Sequence, residues 1–178
     1  MSGHNKYSKI KHIKAKTDAQ KSKMFTKLSR MITVEVKKAG GNPDSPGVKA
    51  AIAKAREYNM PNDTVDRAVK KASEANQADL TSVLYEAYGP GGSAIIIEAL
   101  TDNRNRAAQE VKAVLAKNGS ALAAQGSASW AFTKTADGFI PQTTVPLEEA
   151  DATALGVLVD ALEDLDDVQE VYTNIQEE

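Results

Sequence analysis

The sequence contains no cysteine. That excludes a disulfide framework, a thiol nucleophile, a Cys-ligated zinc site and an iron–sulfur cluster. Aromatic residues are scarce at 5%, so aliphatic side chains must build most of any core. No uninterrupted apolar run reaches the ~18 residues of a membrane helix. The opening stretch MSGHNKYSKIKHIK has no apolar h-region, so no secretory signal is expected and the cytoplasm is the expected compartment. Histidine is limited to His4 and His12, both set among lysines that would repel a cation, so neither a metal nor a cofactor is expected.

What is present is ordinary in proportion and uneven in placement. A length of 178 residues allows one or two domains, and 42% apolar with 26% charged residues is a globular balance. The net charge of −2 conceals a division. Residues 1–72 hold 17 Lys/Arg against 6 Asp/Glu, a net of +11, whereas residues 73–178 hold 5 against 18, a net of −13. Such asymmetry points to an anionic partner for the basic half, with the acidic half keeping the molecule dispersed.

Residues 1–16 carry Lys6, Lys9, Lys11, Lys14 and Lys16 without any acid, and too little apolar surface to offset ordering entropy; they read as a flexible basic arm. Residues 17–78 read as a helical domain. Phe25, Leu28, Ile32 and Val36 form one stripe of a helix that Thr17 or Asp18 caps and Gly40–Gly41 stops. Ser45–Pro46 opens a second helix with Val48, Ala51, Ile52 and Ala55 inward. Asn59-Met60-Pro61 opens a third with Val65, Ala68, Val69 and Ala72 inward, and 73–79 is a polar linker.

The remainder, 79–178, changes period. Val83–Tyr88 and Ala94–Leu100 predict two strands joined by GPGG, a glycine-rich stretch that leads into a strand rather than a helix and so suits a hairpin better than a phosphate loop. Thr101–Lys117 and Glu148–Leu165 predict helices; Ser127–Thr133, Thr143–Pro146 and Val168–Ile175 predict strands. The fold class expected is α+β: a basic three-helix bundle followed by an α/β sandwich with one sheet and helices on a face.

Three stretches bear on chemistry. The acidic run 163–170 offers Glu163, Asp164, Asp166 and Asp167, which would serve a metal-dependent hydrolase but read better as a solvated helix end and turn. No nucleophile or complementary base lies near them, so no catalytic residues are assigned. Arg104 and Arg106 open a helix at its dipole-positive end, where cations are disfavoured. Either an anion sits there, forming a second anion site, or the arginines pair with Glu98, Glu110 or acids of another segment. The basic half is the strongest signal: Lys6, Lys9, Lys11, His12, Lys14, Lys16, Lys23, Lys27, Arg67, Lys70 and Lys71 are the expected nucleic-acid contacts, with Tyr7 available to stack on a base.

Four strings in order, GHNKYSKIKHIKAKTDAQKSKMFTKL, NMPNDTVDRAVKKA, YEAYGPGGSAIIIEALTDNRNR and LEDLDDVQEVYTN, resemble the YebC/PmpR family, which also includes the mitochondrial translational activator of cytochrome c oxidase. The resemblance implies a helical N-terminal domain, α/β domains, no enzymatic activity and control of gene expression. Members are assigned as DNA-binding transcriptional regulators or, alternatively, as ribosome-associated translation factors that bind RNA. The family's signature positions fall on Gly3, His4, Lys6, Lys11, His12, Lys14, Phe25, Lys27, Asn59, Met60, Arg67, Gly89, Gly91, Asn103, Arg104 and Arg106. Family members carry an additional α/β domain after the strand equivalent to Trp130–Phe132; here TKTADGF passes directly to IPQTTVPL, so that domain is expected to be missing near 133–140. Tyr7, Asn5, Ile13, Ser120 and Ala123 also depart from the family pattern.

Overall fold

The computed structural model describes residues 18–74 and 79–176. They divide into two compact units whose boundary in sequence falls between Thr81 and Ser82. The arm, and with it Thr17, lies outside the described residues.

Helix α1 (Asp18–Lys38) begins on an acid and ends on Lys37 and Lys38, each charge placed to oppose the helix dipole. Gly40 and Gly41 follow in the left-handed region, at φ +61° and +85°, and end it. The Ser45 hydroxyl accepts the Val48 N–H at 3.3 Å, and Pro46 starts α2 (Pro46–Glu57). Asn59 then adopts φ 57°, and the Met60 N–H donates to the Ala55 carbonyl at 3.0 Å. This reversal turns Met60 inward before α3 (Asn62–Ser73) begins. Leu28, Ile32, Val36, Val48, Ala51, Ala55, Met60, Val65, Ala68 and Ala72 form the core of this unit. Fully burying each of Ile32, Val36 and Val48 contributes roughly 1.5–3 kcal/mol, and the alanines let the helices approach closely.

In the second unit β1 (Thr81–Tyr88) and β2 (Ala94–Thr101) are neighbours joined by a turn at 89–93, which the Gly89 N–H closes on the Ser93 carbonyl at 2.8 Å. Gly91 sits there at φ +65°. Two further strands, β3 (Ala121–Ala123) and β6 (Val168–Thr173), complete a sheet of order β3-β1-β2-β6, with β3 antiparallel to β1 and β6 antiparallel to β2. Strand β2 is buried on both faces. Ile95, Ile97 and Ala99 pack against α4 (Arg104–Lys117) and α5 (Glu149–Glu163), while Ala94 and Ile96 pack against Ala128, Ala131 and Phe132. The second face is thus covered by the loop at 126–131 and by a two-stranded sheet of β4 (Phe132–Thr135) and β5 (Gly138–Pro141).

The α+β class expected from the sequence is the one observed, with corrections to its elements. Ser127–Thr133 is not one strand: residues 129–131 form a 3-10 turn, and β4 starts only at Phe132. Thr143–Pro146 is not a strand either, since Val145 makes a single parallel bridge to Ile175. The buried Asn174 side chain replaces a ladder there, accepting the Ala94 N–H at 2.7 Å and donating to the Thr143 carbonyl at 2.9 Å. Thr101 belongs to β2, so the following helix begins three residues later than its periodicity implied.

The cause of the irregular 126–129 segment is Glu86. Its side chain lies on the face of β1 opposite Tyr85 and Ala87, where its carboxylate accepts the backbone N–H groups of Gly126, Ala128 and Ser129 at 2.7, 2.7 and 2.8 Å. Burial pushes this carboxyl up, but these donors and the Ser129 side chain outweigh it and hold the group below the ordinary glutamate value. The stability it contributes is therefore present above the ordinary glutamate range and is lost as pH falls through the depressed value. Glu86→Gln is expected to cost about 2–3 kcal/mol at pH 7, because three charge-assisted bonds become weaker neutral ones or go unmade. It should also flatten the fall in Tm on acidification. Thermal melts of parent and variant across the acid range check both effects.

Candidate nucleic-acid interface

Of the expected contacts, Lys6, Lys9, Lys11, His12, Lys14 and Lys16 lie outside the described residues. The structure describes Lys23 and Lys27, which share a face of α1 through their i, i+4 spacing, and Arg67, Lys70 and Lys71, which share one on α3. Arg67, Lys70 and Lys71 are exposed and have no carboxylate partner among the described residues. Three other cations of the unit are paired, Lys37 with Asp79, Lys38 with Glu35 and Lys49 with Asp44, at 2.5, 2.7 and 3.3 Å. Hydrogen bonding and attraction by Lys37 hold the Asp79 carboxyl below its ordinary value.

Between α1 and α3 lies an open groove of about 620 Å³ lined by Asp18, Lys21, Ser22, Phe25, Thr26, Ser29, Thr64 and Arg67. Lys21 and Arg67 supply positive charge on its two walls. The Arg67 Nε donates to the Asp63 carbonyl at 3.1 Å, which fixes the stem of the side chain and leaves the guanidinium Nη groups for another acceptor. Phe25 is half-buried against the helical core. Sequence reading found Arg67 and Phe25 separately. It missed the groove and its hydroxyls, because Phe25 and Thr64 lie on different helices and no local pattern links them.

In the second unit Arg106 and Arg104 do different things. Asn103 caps α4, its side chain accepting the Arg106 backbone N–H at 3.1 Å. The Arg106 Nη2 donates to Asp102 Oδ1 at 2.8 Å and to Asp167 Oδ2 at 2.9 Å, and the Thr101 hydroxyl donates to that same Asp167 oxygen at 2.8 Å. Bonding to Asp167 first and Asp102 second raises the Arg106 guanidinium above its ordinary value. Of the two readings of this arginine, pairing with acids is the one the geometry describes: Asp167 is the acid of another segment, and Asp102, rather than Glu98 or Glu110, is the local one. The carboxylates offset the dipole conflict that an external anion was invoked to relieve. Arg104 is exposed, has no carboxylate partner among the described residues, and lies near enough to the Tyr85 hydroxyl to oppose the rise that burial imposes on it.

The acidic run needs correction on the same ground. Asp167 is not part of a solvated turn: its side chain is 4% exposed and bridges the end of β2, the first turn of α4 and the entry to β6. Its backbone carbonyl also accepts the Leu100 N–H at 2.8 Å. Among the described residues no three His, Cys, Asp or Glu side chains form a group able to hold a metal ion, and no helix is long and apolar enough to cross a membrane.

Comparison with known proteins places these features in a wider set. The pattern of the TACO1/YebC protein N-terminal domain matches residues 5–75, and that of the TACO1/YebC second and third domain matches 80–137 and 134–175. A "Probable transcriptional regulatory protein" of Fervidobacterium nodosum is 40% identical, over 98% of this chain and 93% of its own. One of the same name from Pelotomaculum thermopropionicum is 38% identical over 99% of each. The crystal structure of a conserved hypothetical protein from Aquifex aeolicus superposes with a TM-score of 0.81 at 31% identity, covering 92% of this chain and 94% of that one.

The bridging role of Asp167 yields a stability test. Asp167→Ala should cost about 1–3 kcal/mol, since it removes the buried carboxylate to which both Arg106 and Thr101 donate. Arg106→Gln should also lower the Tm, whereas Arg104→Gln should leave it unchanged. Parallel thermal melts of the three variants check the ordering.

Proposed function

The chain belongs to the TACO1/YebC family, and on that premise we propose that it is a non-enzymatic regulator of gene expression that works by binding nucleic acid. The observation that carries this reading is the set of cations on the α1 and α3 surfaces of the basic half, Lys21, Arg67, Lys70 and Lys71, that have no carboxylate partner among the described residues. Cations without carboxylate partners are available to displace counterions from phosphates, which is the term that dominates nucleic-acid affinity. The name that the relatives carry favours transcription and DNA as target. A translational role on RNA is the second reading. It is favoured by the groove's hydroxyls and by Phe25, groups that a duplex backbone leaves unused.

The acidic second unit is the supporting scaffold in this reading. Its field directs a polyanion toward the helical unit and the arm. The two matched stretches, 80–137 and 134–175, meet at the tight β4–β5 connection, which supports the reading that an inserted domain is missing there.

Phosphate contact by the arm gives a quantitative expectation. Removing residues 1–16 deletes five lysines, so the slope of log affinity against log salt should become shallower by roughly 4–5. The melting temperature should stay that of the parent. Salt titrations with duplex DNA and with structured RNA check this, and crosslinking in cells followed by sequencing identifies the natural target. An unchanged slope for both polymers would sink the arm as the contact.

A further inference from the structure

The groove between α1 and α3 has a composition that phosphate contact alone does not explain. Its two cations, Lys21 and Arg67, stand on opposite helices, and the half-buried ring of Phe25 and the single carboxylate of Asp18 line it with them. Around the ring are the hydroxyls of Ser22, Ser29 and Thr64, which have no partner among the described residues. A phosphate gains nothing from an aromatic face, because the negative potential above the ring repels an anion. A nucleobase gains from it directly, and stacking tolerates any base since each presents a π-face. Uncommitted hydroxyls can donate to or accept from whatever base or sugar edge is offered. A volume of about 620 Å³ lies within the range of sites that hold small ligands.

We propose that this groove holds an unpaired nucleotide of a single strand, its base against Phe25 and its phosphates on Lys21 and Arg67. In a duplex the base faces are occupied by their neighbours and cannot reach a ring set between two helices. The groove thus selects looped, bulged or single-stranded segments. This inference rests on the nucleic-acid reading above and narrows the target from polyanion in general to exposed bases.

The test uses the full chain and twelve-nucleotide probes with 2-aminopurine at the centre. One is RNA and one is DNA of the same sequence, each offered single-stranded and annealed to its complement. Both single strands should bind more tightly than their duplexes, and the 2-aminopurine emission should change on binding. Phe25→Leu keeps apolar volume but removes the flat face; it should weaken single-strand binding by about tenfold, abolish the emission change and leave duplex binding as it was. Phe25→Tyr, which keeps the ring, should retain the parent's single-strand affinity, and unchanged duplex binding by Phe25→Leu distinguishes a lost ring from a folding defect. Arg67→Gln should weaken single strands and duplexes alike. Comparing the RNA and DNA arms shows which sugar the hydroxyls prefer, and equal affinities support the stacking site as well. Unchanged single-strand affinity in Phe25→Leu, or duplexes bound as tightly as single strands, would overturn the stacking site while leaving nucleic-acid binding in place. Loss of all binding in the parent would overturn both readings.

Discussion

Burial of β2 on both faces is the constraint around which the second unit is arranged. A strand whose odd-numbered residues, Ile95, Ile97 and Ala99, need one apolar cover and whose even-numbered residues, Ala94 and Ile96, need another must sit inside a sheet with layers on each side. Helices α4 and α5 supply the first layer. The second is built from a loop and a two-stranded sheet with little regular structure, and it is held in place by polar groups: Glu86 gathers the N–H groups of 126–129, and Asn174 joins Ala94 to Thr143. Where the chain cannot form a ladder, a buried side chain takes over its hydrogen-bonding duty.

Charge is arranged as deliberately as apolar surface. In the second unit Arg106 is drawn into a local pairing with Asp102 and Asp167. In the helical unit Arg67, Lys70 and Lys71 are exposed and have no carboxylate partner among the described residues. Uncompensated like charges cost some stability through mutual repulsion, and a small helical core of aliphatic residues tolerates that cost.

Much of this was legible from local pattern. The α1 stripe, the Ser45–Pro46 start, the GPGG hairpin and the inward residues of α4 and α5 all follow from short-range rules of spacing, capping and turn chemistry. The features that escaped are those whose meaning is set by distant partners. Glu86 looks like an exposed strand glutamate until the N–H groups some forty residues later are brought to it. Asp167 sits among other acids and looks solvated, because nothing in its neighbourhood announces Thr101 or Arg106. For the candidate site, the uncommitted cations could be picked out singly, but their grouping around Phe25 depends on how α1 and α3 pack.

The pairing of β2 with β6 also sets an order of events during synthesis. All the core residues of the helical unit, from Leu28 to Ala72, precede the first strand, so that unit can close while the rest of the chain is still being made. Strand β2 cannot finish. Its register partners run from Val168 to Thr173, and until they emerge Ile95 and Ile97 present an apolar edge with unsatisfied backbone groups. A nascent chain therefore carries a folded, positively charged helical unit before its acidic unit has been made.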